Sequence, residues 1–388
     1  MRVAGPPIVR ARRRLHGLLV AIPALAVALV AGQAAASPLA FFTETSQPAD
    51  SELAAPFTPL VGDFTGDGAD DLFVYRPGSG TDLMLIGGQR SSFVGATGGA
   101  IQVKSTYTPL VGDFDGDGGA DIFWYAPGKA ADYLWIFTNQ TTVVSIKKSV
   151  NGTYKPIVGD FASADGKHRD DIFWYAPGSA SDSLWKATAA GNFTSIPESV
   201  SGTYQPLVGA FTPDPATGGS TDSTLDIFWY APGSSPDSLW RGDGTGHFTP
   251  KAYVVGGTYQ PFVGYFDGYG VQDIFWYAPG GNDSVWLADP DTRTFTTHGV
   301  GMSAGYTPIT DEFTVPDEPI LWWSPTGEDH FWLPQGEPGT WDYTELSNNT
   351  DMGAERRPVT GDFDGDGHND IFWIGSGSTN SALWWGPG

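Results

Sequence analysis

The feature that most constrains this chain is a unit of about fifty residues that occurs seven times. Its core reads Y-x-P-x-V-G-D-F, then an Asp/Gly-rich stretch, then D-I-F-W-Y-A-P-G and D-S-L-W. The units open at Pro59, Pro109, Pro156, Pro206, Pro261, Pro308 and Pro358. Because a single repeat cannot bury its apolar face alone, neighbouring repeats must pack on one another. The sequence therefore predicts a repeat protein.

Each unit contains four short segments that are typical of β-strands: V-G-D-F, D-I-F-W-Y-A, D-S-L-W and a fourth such as G-N-F-T-S-I. The second segment is apolar throughout instead of alternating, which indicates burial on both faces. A blade that lies between two other blades meets this condition. We therefore predict an all-β fold: a seven-bladed β-propeller of four-stranded antiparallel blades.

The two ends of the chain predict how the ring closes. The seventh copy stops after its third segment, at Trp384 and Trp385, whereas residues 41–56 precede the first copy without a partner. This orphan segment is similar to the fourth strands near His247 and Thr294. We expect it to complete blade seven, which removes an exposed sheet edge.

Residues 1–36 have the features of a secretory signal peptide. They contain five arginines, an apolar run over 17–32 and a small-residue end at Ala34, Ala35 and Ala36. The consecutive Arg12, Arg13 and Arg14 leave both the general and the twin-arginine export route open. We expect a secreted protein whose mature part, residues 37–388, is the propeller and does not insert into a membrane.

The composition limits the partners. A formal net charge of −24 repels phosphate groups, so we expect no nucleic-acid partner. Divalent cations suit such a surface. Cysteine is absent, so an exported chain gains no disulfides, and a cysteine nucleophile is excluded. We expect the protein to act as a monomer.

Three loops between the first and second segments have the pattern D-x-[DT]-x-D-G-x-x-D. Side chains at positions one, three, five and nine and the carbonyl at position seven can converge on one ion, and oxygen ligands of this kind suit calcium. The predicted Ca²⁺ ligands are Asp63, Thr65, Asp67, Ala69 and Asp71; Asp113, Asp115, Asp117, Gly119 and Asp121; and Asp362, Asp364, Asp366, His368 and Asp370. The alternative is a set of Asp-Gly turns with solvated acids.

The other four loops depart from this pattern. Copy three keeps Asp160, Asp165 and Asp171 in a lengthened loop, which leaves weak calcium binding open. The departures in copies four, five and six are Ala210, Tyr265 with Tyr269, and a proline-containing stretch after Asp311. We expect no ion in those three.

The string V-G-D-F-D-G-D-G followed by D-I-F-W-Y-A-P-G resembles the FG-GAP/VCBS repeat, the unit of the integrin α-subunit head and of many secreted microbial propellers. The resemblance covers residues 41–388. It implies a seven-bladed calcium-binding propeller that serves in adhesion or ligand binding, as in related fungal lectins with sugar sites between blades. Fold alone does not determine function.

A second pattern predicts a repeated ligand site at the rim opposite the calcium loops. It pairs a tyrosine two residues before the opening proline with an aspartate before the third-strand tryptophan. A flat aromatic ring beside a carboxylate suits a sugar. The tyrosines are Tyr107, Tyr154, Tyr204, Tyr259 and Tyr306, and the aspartates are Asp82, Asp132, Asp182, Asp237, Asp283 and Asp329. The alternative is structural: the aspartate caps a turn and the tyrosine packs under the next blade.

These patterns favour a ligand-binding or adhesion module, with glycans or cell-surface polysaccharide as the expected ligand. No catalytic residues are predicted. Two alternatives stay open from the sequence: a secreted carbohydrate-active or esterase-type enzyme on the same scaffold, and a purely structural surface protein.

Overall fold

The structure is a computed structural model of the chain. It describes residues 43–46, 53, 56–78, 81–88, 93–95, 102–139, 142–162, 166, 168–213, 224–268, 270–310, 313, 319–334, 339–348, 352–353, 356–375 and 379–386. The predicted signal peptide lies outside these residues. Within the described part of the chain, no helix has the length and apolar character that a bilayer span needs.

The described strands form seven antiparallel sheets of four strands each, which confirms the predicted propeller. Blade one contains β2 (Thr58–Gly62), β3 (Asp71–Tyr75), β4 (Leu83–Ile86) and β5 (Val94–Gly95). Blade two contains β6 (Thr108–Gly112), β7 (Asp121–Tyr125), β8 (Asp132–Asn139) and β9 (Thr142–Lys148). Blade three contains β10 (Lys155–Gly159), β11 (Asp171–Tyr175), β12 (Asp182–Thr188) and β13 (Asn192–Glu198). Blade four contains β14 (Gln205–Gly209), β15 (Asp226–Tyr230), β16 (Asp237–Gly242) and β17 (Phe248–Tyr253).

The remaining strands follow the same order. Blade five contains β18 (Gln260–Gly264), β19 (Asp273–Tyr277), β20 (Asp283–Asp289) and β21 (Thr294–Val300). Blade six contains β22 (Thr307–Thr310), β23 (Ile320–Trp323), β24 (Asp329–Pro334) and β25 (Tyr343–Asn348). Blade seven contains β26 (Arg356–Gly361), β27 (Asp370–Gly375), β28 (Ala382–Trp385) and the N-terminal β1 (Thr43–Ser46).

The apolar second strand of each blade explains the core. In β7, for example, all five residues of D-I-F-W-Y are buried. Phe73 and Tyr75 of blade one pack in one cluster with Trp124 of blade two. Each of the seven apolar clusters joins two neighbouring blades, and one of them joins blade seven to blade one. The core is therefore a closed ring of interblade clusters.

The ring closes through the N-terminal strand, as predicted. Strand β1 pairs antiparallel with β28, with Thr43 opposite Trp385 and Ser46 opposite Ala382. Part of the 41–56 segment lies outside the described residues, but Leu53 and Phe57 are buried in the cluster between blades seven and one. The first and last described strands thus belong to one sheet.

In blades one to five, a backbone hydrogen bond also connects the loop between first and second strands to the loop of the preceding blade. The residue before the second strand donates its N–H to the carbonyl of loop position one, over 2.7 to 3.1 Å. These pairs are Asp70 to Asp362, Ala120 to Asp63, Asp170 to Asp113, Leu225 to Asp160 and Gln272 to Ala210. Since adjacent strands are antiparallel, these loops lie on one rim and the turns between second and third strands lie on the other.

Candidate metal loops and interblade pockets

In the three predicted calcium loops, the position-one aspartate is surrounded by main-chain donors of its own loop. Asp113 Oδ1 accepts the N–H of Gly116 at 2.7 Å, and its Oδ2 accepts that of Gly118 at 2.9 Å. Asp63 and Asp362 make the corresponding contacts with their loops. The glycine at position six has a positive φ in all three loops, a conformation that glycine adopts at no steric cost. The loop sequence therefore folds around its first carboxylate.

Two of the three loops gather three carboxylates closely enough to hold one ion. The groups are Asp113, Asp115 and Asp117, and Asp362, Asp364 and Asp370, each with ligand oxygens within 4.8 Å of one another. Among the described residues, the first loop forms no such group, and Thr65 stands at its third position. The buried Thr65 Oγ1 has no hydrogen-bond partner within the described part of the chain. The donors are all oxygens, which fits calcium.

The position-nine aspartate also has a structural role. Asp121 Oδ1 accepts the N–H of Phe137 and its Oδ2 accepts that of Phe114, which holds the second strand to the third strand and to the loop. An aspartate at this position accepts the same two kinds of main-chain N–H group, an arrangement called the aspartate bracket below, in blades with and without the calcium pattern. These residues are Asp71, Asp121, Asp171, Asp226, Asp273 and Asp370. In the sixth unit Pro319 occupies this position.

Burial raises the pKa of these aspartates. It brings the pKa of Asp171 and of Asp226 to about 7, although neither belongs to a complete calcium pattern. Burial, together with the charges of the loop carboxylates, raises the pKa of Asp121 and of Asp370 to about 8. A raised pKa at position nine therefore reflects the blade architecture and does not by itself indicate a metal.

The decayed loops contain polar contacts of other kinds. In copy three, Asp160 Oδ2 lies 3.1 Å from His168 Nδ1. In copy four, the main-chain N–H of Ala210 donates to Gln272 Oε1 at 2.8 Å. Asp267 is buried and accepts the N–H of Gly339, which belongs to blade six. The positions of Asp165, Tyr269 and Asp311 lie outside the described residues. The expectation that copies four to six hold no ion stays a prediction.

The aspartates proposed for the opposite rim do not face a ligand, which corrects that part of the predicted site. They are 0 to 3% exposed, and both carboxylate oxygens accept main-chain N–H groups. In Asp182, Oδ1 accepts from Ala176 at 2.7 Å and Oδ2 from Val200 at 2.6 Å. Asp82, Asp132, Asp237, Asp283 and Asp329 repeat this arrangement. The aspartate fixes the turn before the third strand, as the structural alternative requires.

The tyrosines of the same pattern are half-buried at the edges of the interblade clusters. Tyr204 meets the buried Trp229 edge-on, with ring centroids 6.0 Å apart. Its main-chain N–H donates to the hydroxyl of Tyr175 from the preceding blade at 2.8 Å. A Cβ at Gly202, where φ is +137°, would lie 2.6 Å from the Tyr204 ring, so glycine is required there. The sequence G-T-Y thus sets the tyrosine ring in a fixed position.

At the first of these positions the surface forms a depression of about 240 Å³. Tyr107, Trp124, Tyr133, Trp135 and Ser145 contribute to its lining. Trp124 is 1% exposed, whereas Trp135 is half-buried. The depression therefore combines aromatic walls with hydroxyl groups at the junction of blades one and two.

The tryptophan behind each tyrosine carries a polar group that the sequence pattern did not reveal. The indole Nε1–H groups of Trp124, Trp174, Trp229, Trp276 and Trp322 are buried and have no hydrogen-bond partner among the described residues. Buried donors are satisfied in the great majority of cases, and Trp373 of blade seven, where no tyrosine is present, shows the same exception, so it follows the blade architecture. From the sequence these residues were assigned to the core, because D-I-F-W-Y is apolar throughout.

The junction of blades seven and one lacks this arrangement. Phe57 takes the place of the tyrosine there and Val74 that of the tryptophan, and both are buried. The Phe57 ring has Arg357 on one side and Arg76 nearby, with guanidinium carbons 3.9 and 5.9 Å from its centre. At the junction of blades six and seven, Arg356 replaces the tyrosine. The tyrosine and tryptophan pair is therefore a feature of five junctions.

No protein-family model matches the chain, and no curated relative matches it either. Among solved structures, a lectin of Agrocybe aegerita, described as specifically recognising non-reducing terminal N-acetylglucosamine, gives a TM-score of 0.58 at 14% identity, over 84% of this chain and 85% of that one. BBS1N, solved in complex with ARL6DN, gives 0.53 at 10% identity, over 88% and 97%. These likenesses show the propeller fold, and a lectin is among the neighbours.

Proposed function

We propose that this chain is a secreted, calcium-binding propeller of the FG-GAP/VCBS kind that binds glycans at repeated pockets between its blades. One observation carries the proposal. A half-buried tyrosine packs at the edge of the interblade cluster that contains the second-strand tryptophan, and this arrangement recurs at five of the seven blade junctions.

The chemistry of the pair suits a saccharide. A pyranose ring offers C–H groups that pack on an aromatic face, and its hydroxyl or acetamido oxygens accept hydrogen bonds. A tyrosine hydroxyl both donates and accepts hydrogen bonds, so it can pair with a hydroxyl or acetamido oxygen of the ligand.

Repetition adds avidity. The five pairs lie on one rim, because each tyrosine immediately precedes a first strand and each tryptophan lies near the end of a second strand. A polysaccharide or a glycan-covered surface presents many ends to such a rim, and linked weak sites bind much more tightly together than singly. The lectin neighbour with the same fold supports this interpretation.

Calcium has a separate place in the proposal. Asp113, Asp115 and Asp117 would hold one ion, and Asp362, Asp364 and Asp370 another. Bound calcium neutralises carboxylates that otherwise repel one another. These loops lie on the rim opposite the tyrosines. We therefore propose that calcium stabilises the fold and does not contact the bound sugar.

A glycan array with the mature protein tests the proposal, with calcium and with a chelator. We expect binding to a defined class of terminal sugars, including N-acetylglucosamine as a probe, and retention of that binding in chelator while the protein stays folded. A variant with alanine at all five tyrosines, shown to be folded by circular dichroism, should lose the signal. Folded wild-type protein that binds no glycan, or a folded five-alanine variant that binds as well as wild type, would contradict it.

A further inference from the structure

The junction of blades five and six differs from the other four tyrosine junctions in two side chains. At the position opposite the buried tryptophan on the third strand, blades two to five carry Tyr133, Ser183, Ser238 and Ser284, and blade six carries His330. On the fourth strand, the residue opposite the third-strand tryptophan also differs. It is Ser145, Ser195, Pro250 or Thr297 in blades two to five, and Glu345 in blade six. Blade six thus has an imidazole and a carboxylate where the other blades have only uncharged side chains.

These two residues are connected to the repeated tyrosine. His330 Nε2 lies 2.9 Å from the Tyr306 hydroxyl, and His330 Nδ1 lies 2.8 Å from Glu345 Oε1. The three side chains form one chain of polar contacts beside the Tyr306 ring.

Glu345 is open to a ligand. Its side chain is 49% exposed, against 21% for His330. A carboxylate has two oxygens and about four lone pairs, so the contact with His330 leaves acceptor capacity. The surroundings are acidic as well. The pKa of Tyr306 is raised, first by burial and then by the charges of Asp329, Glu345 and Glu328.

A local negative potential favours a cationic group over a neutral one. The ring platform is shared with the other pockets, since Tyr306 packs on the cluster that contains Trp322, whose Nε1–H has no partner among the described residues. The site therefore offers a saccharide platform and, beside it, a carboxylate acceptor for an ammonium group.

We infer that the Tyr306, His330 and Glu345 site at the junction of blades five and six selects amine-bearing saccharides, in which an unsubstituted amino sugar places its ammonium group against Glu345. This inference rests on the proposed glycan binding and specifies one of its sites. The four other pockets bind uncharged sugars, because their equivalent positions carry hydroxyl groups or proline. One propeller would then recognise a polymer that contains both acetylated and free amino sugars.

The probes are methyl β-D-glucosaminide, which has a free amine, and its N-acetylated counterpart. Each is titrated calorimetrically at pH 7 into the mature protein, into Glu345→Gln and into Thr297→Gln. The glutamine at 345 removes the charge and keeps the size at an exposed position, so the melting temperature should not change. The glutamine at 297 is the matched control, because it places the same amide at the equivalent position of blade five.

We expect one equivalent of the amine probe to bind to the mature protein and to Thr297→Gln. Glu345→Gln should bind it about tenfold more weakly, because a charge-assisted hydrogen bond is lost. Binding of the N-acetylated probe should be the same in the mature protein and in Glu345→Gln. Equal amine affinity in Glu345→Gln, or binding of the N-acetylated probe alone, would overturn the inference and leave the proposed function standing. No binding of either probe, with no glycan bound on the array, would overturn both.

Discussion

The guanidinium carbon of Arg357 lies 3.9 Å from the centre of the Phe57 ring, and this contact joins the last blade to the first. Arg357 Nη1 also donates to the Phe57 carbonyl at 3.3 Å. At this junction a cation–π contact replaces the tyrosine and tryptophan pair of the other blades. The junction that closes the ring is thus built for cohesion, and the tyrosine and tryptophan pairs lie at five other junctions.

The first prediction concerns closure by the N-terminal strand. Removal of residues 37–46 should lower the melting temperature clearly, because β28 loses its antiparallel partner and becomes an exposed sheet edge. Removal of residues 37–42 keeps β1 and is the control, which should melt like the intact mature protein. Equal melting temperatures for the two truncations would show that the strand does not hold the ring.

The second prediction concerns the buried aspartate that fixes the turn before each third strand. Asp182→Ala should destabilise the protein by roughly 2–6 kcal/mol, because two buried N–H groups, those of Ala176 and Val200, lose their acceptor. Ser183→Ala, at the neighbouring half-buried position, should change the free energy of unfolding by less than about 1 kcal/mol. Denaturant unfolding measures both. A variant Asp182→Ala as stable as wild type would show that this aspartate is not structural.

The third prediction concerns calcium. At about 1 mM calcium, two sites with dissociation constants of about 10⁻⁴ to 10⁻³ M should add roughly 1–3 kcal/mol to the free energy of unfolding. Asp115→Asn should reduce this gain, since it removes one of three gathered carboxylates. Asp243→Asn is the control, because this aspartate lies in an exposed turn outside the loops. No calcium heat in titration calorimetry, or equal losses in both variants, would contradict the assignment.

The fourth prediction is a pH dependence in the presence of a chelator. Burial raises the pKa of Asp171 and of Asp226 to about 7, above that of an unfolded aspartate near 3.9. The folded state therefore holds these protons more tightly, and the stability they provide is complete below about pH 4 and is lost as the pH rises to about 7. Thermal unfolding from pH 4 to pH 9 should show this decline. In Asp226→Asn the decline should be shallower, and an unchanged profile would argue against the raised pKa.

Much of the fold could be predicted from the sequence because the same residues recur at fixed spacing. The spacing of the opening prolines predicted seven blades, and the unpaired 41–56 segment predicted the pairing that the structure shows between β1 and β28. The aspartates of D-S-L-W could not be assigned in this way, since a structural residue repeats as faithfully as a binding site. Only the structure shows that Asp182 is buried and accepts two main-chain N–H groups, which identifies it as a structural residue and not a ligand-binding one.

The site itself was predictable in part. The G-T-Y segment marks the tyrosine, but nothing in D-I-F-W-Y indicates that Trp229 keeps an unpartnered indole N–H inside an apolar cluster. The two loops that gather three carboxylates among the described residues have an aspartate at position three, whereas the first loop has Thr65, a difference visible in the sequence. The unpartnered indole depends on side-chain positions, which repeat spacing does not determine.

The most direct test of glycan binding at repeated pockets is the number of sites per chain. A monovalent saccharide identified on the array should bind with four or five equivalents in titration calorimetry, according to whether the blade-six pocket accepts it. Tyr204→Ala should lower that number by one and leave the affinity of the remaining sites unchanged, because each pocket is built at its own junction. A single equivalent per chain, or a site number that Tyr204→Ala does not alter, would contradict the account.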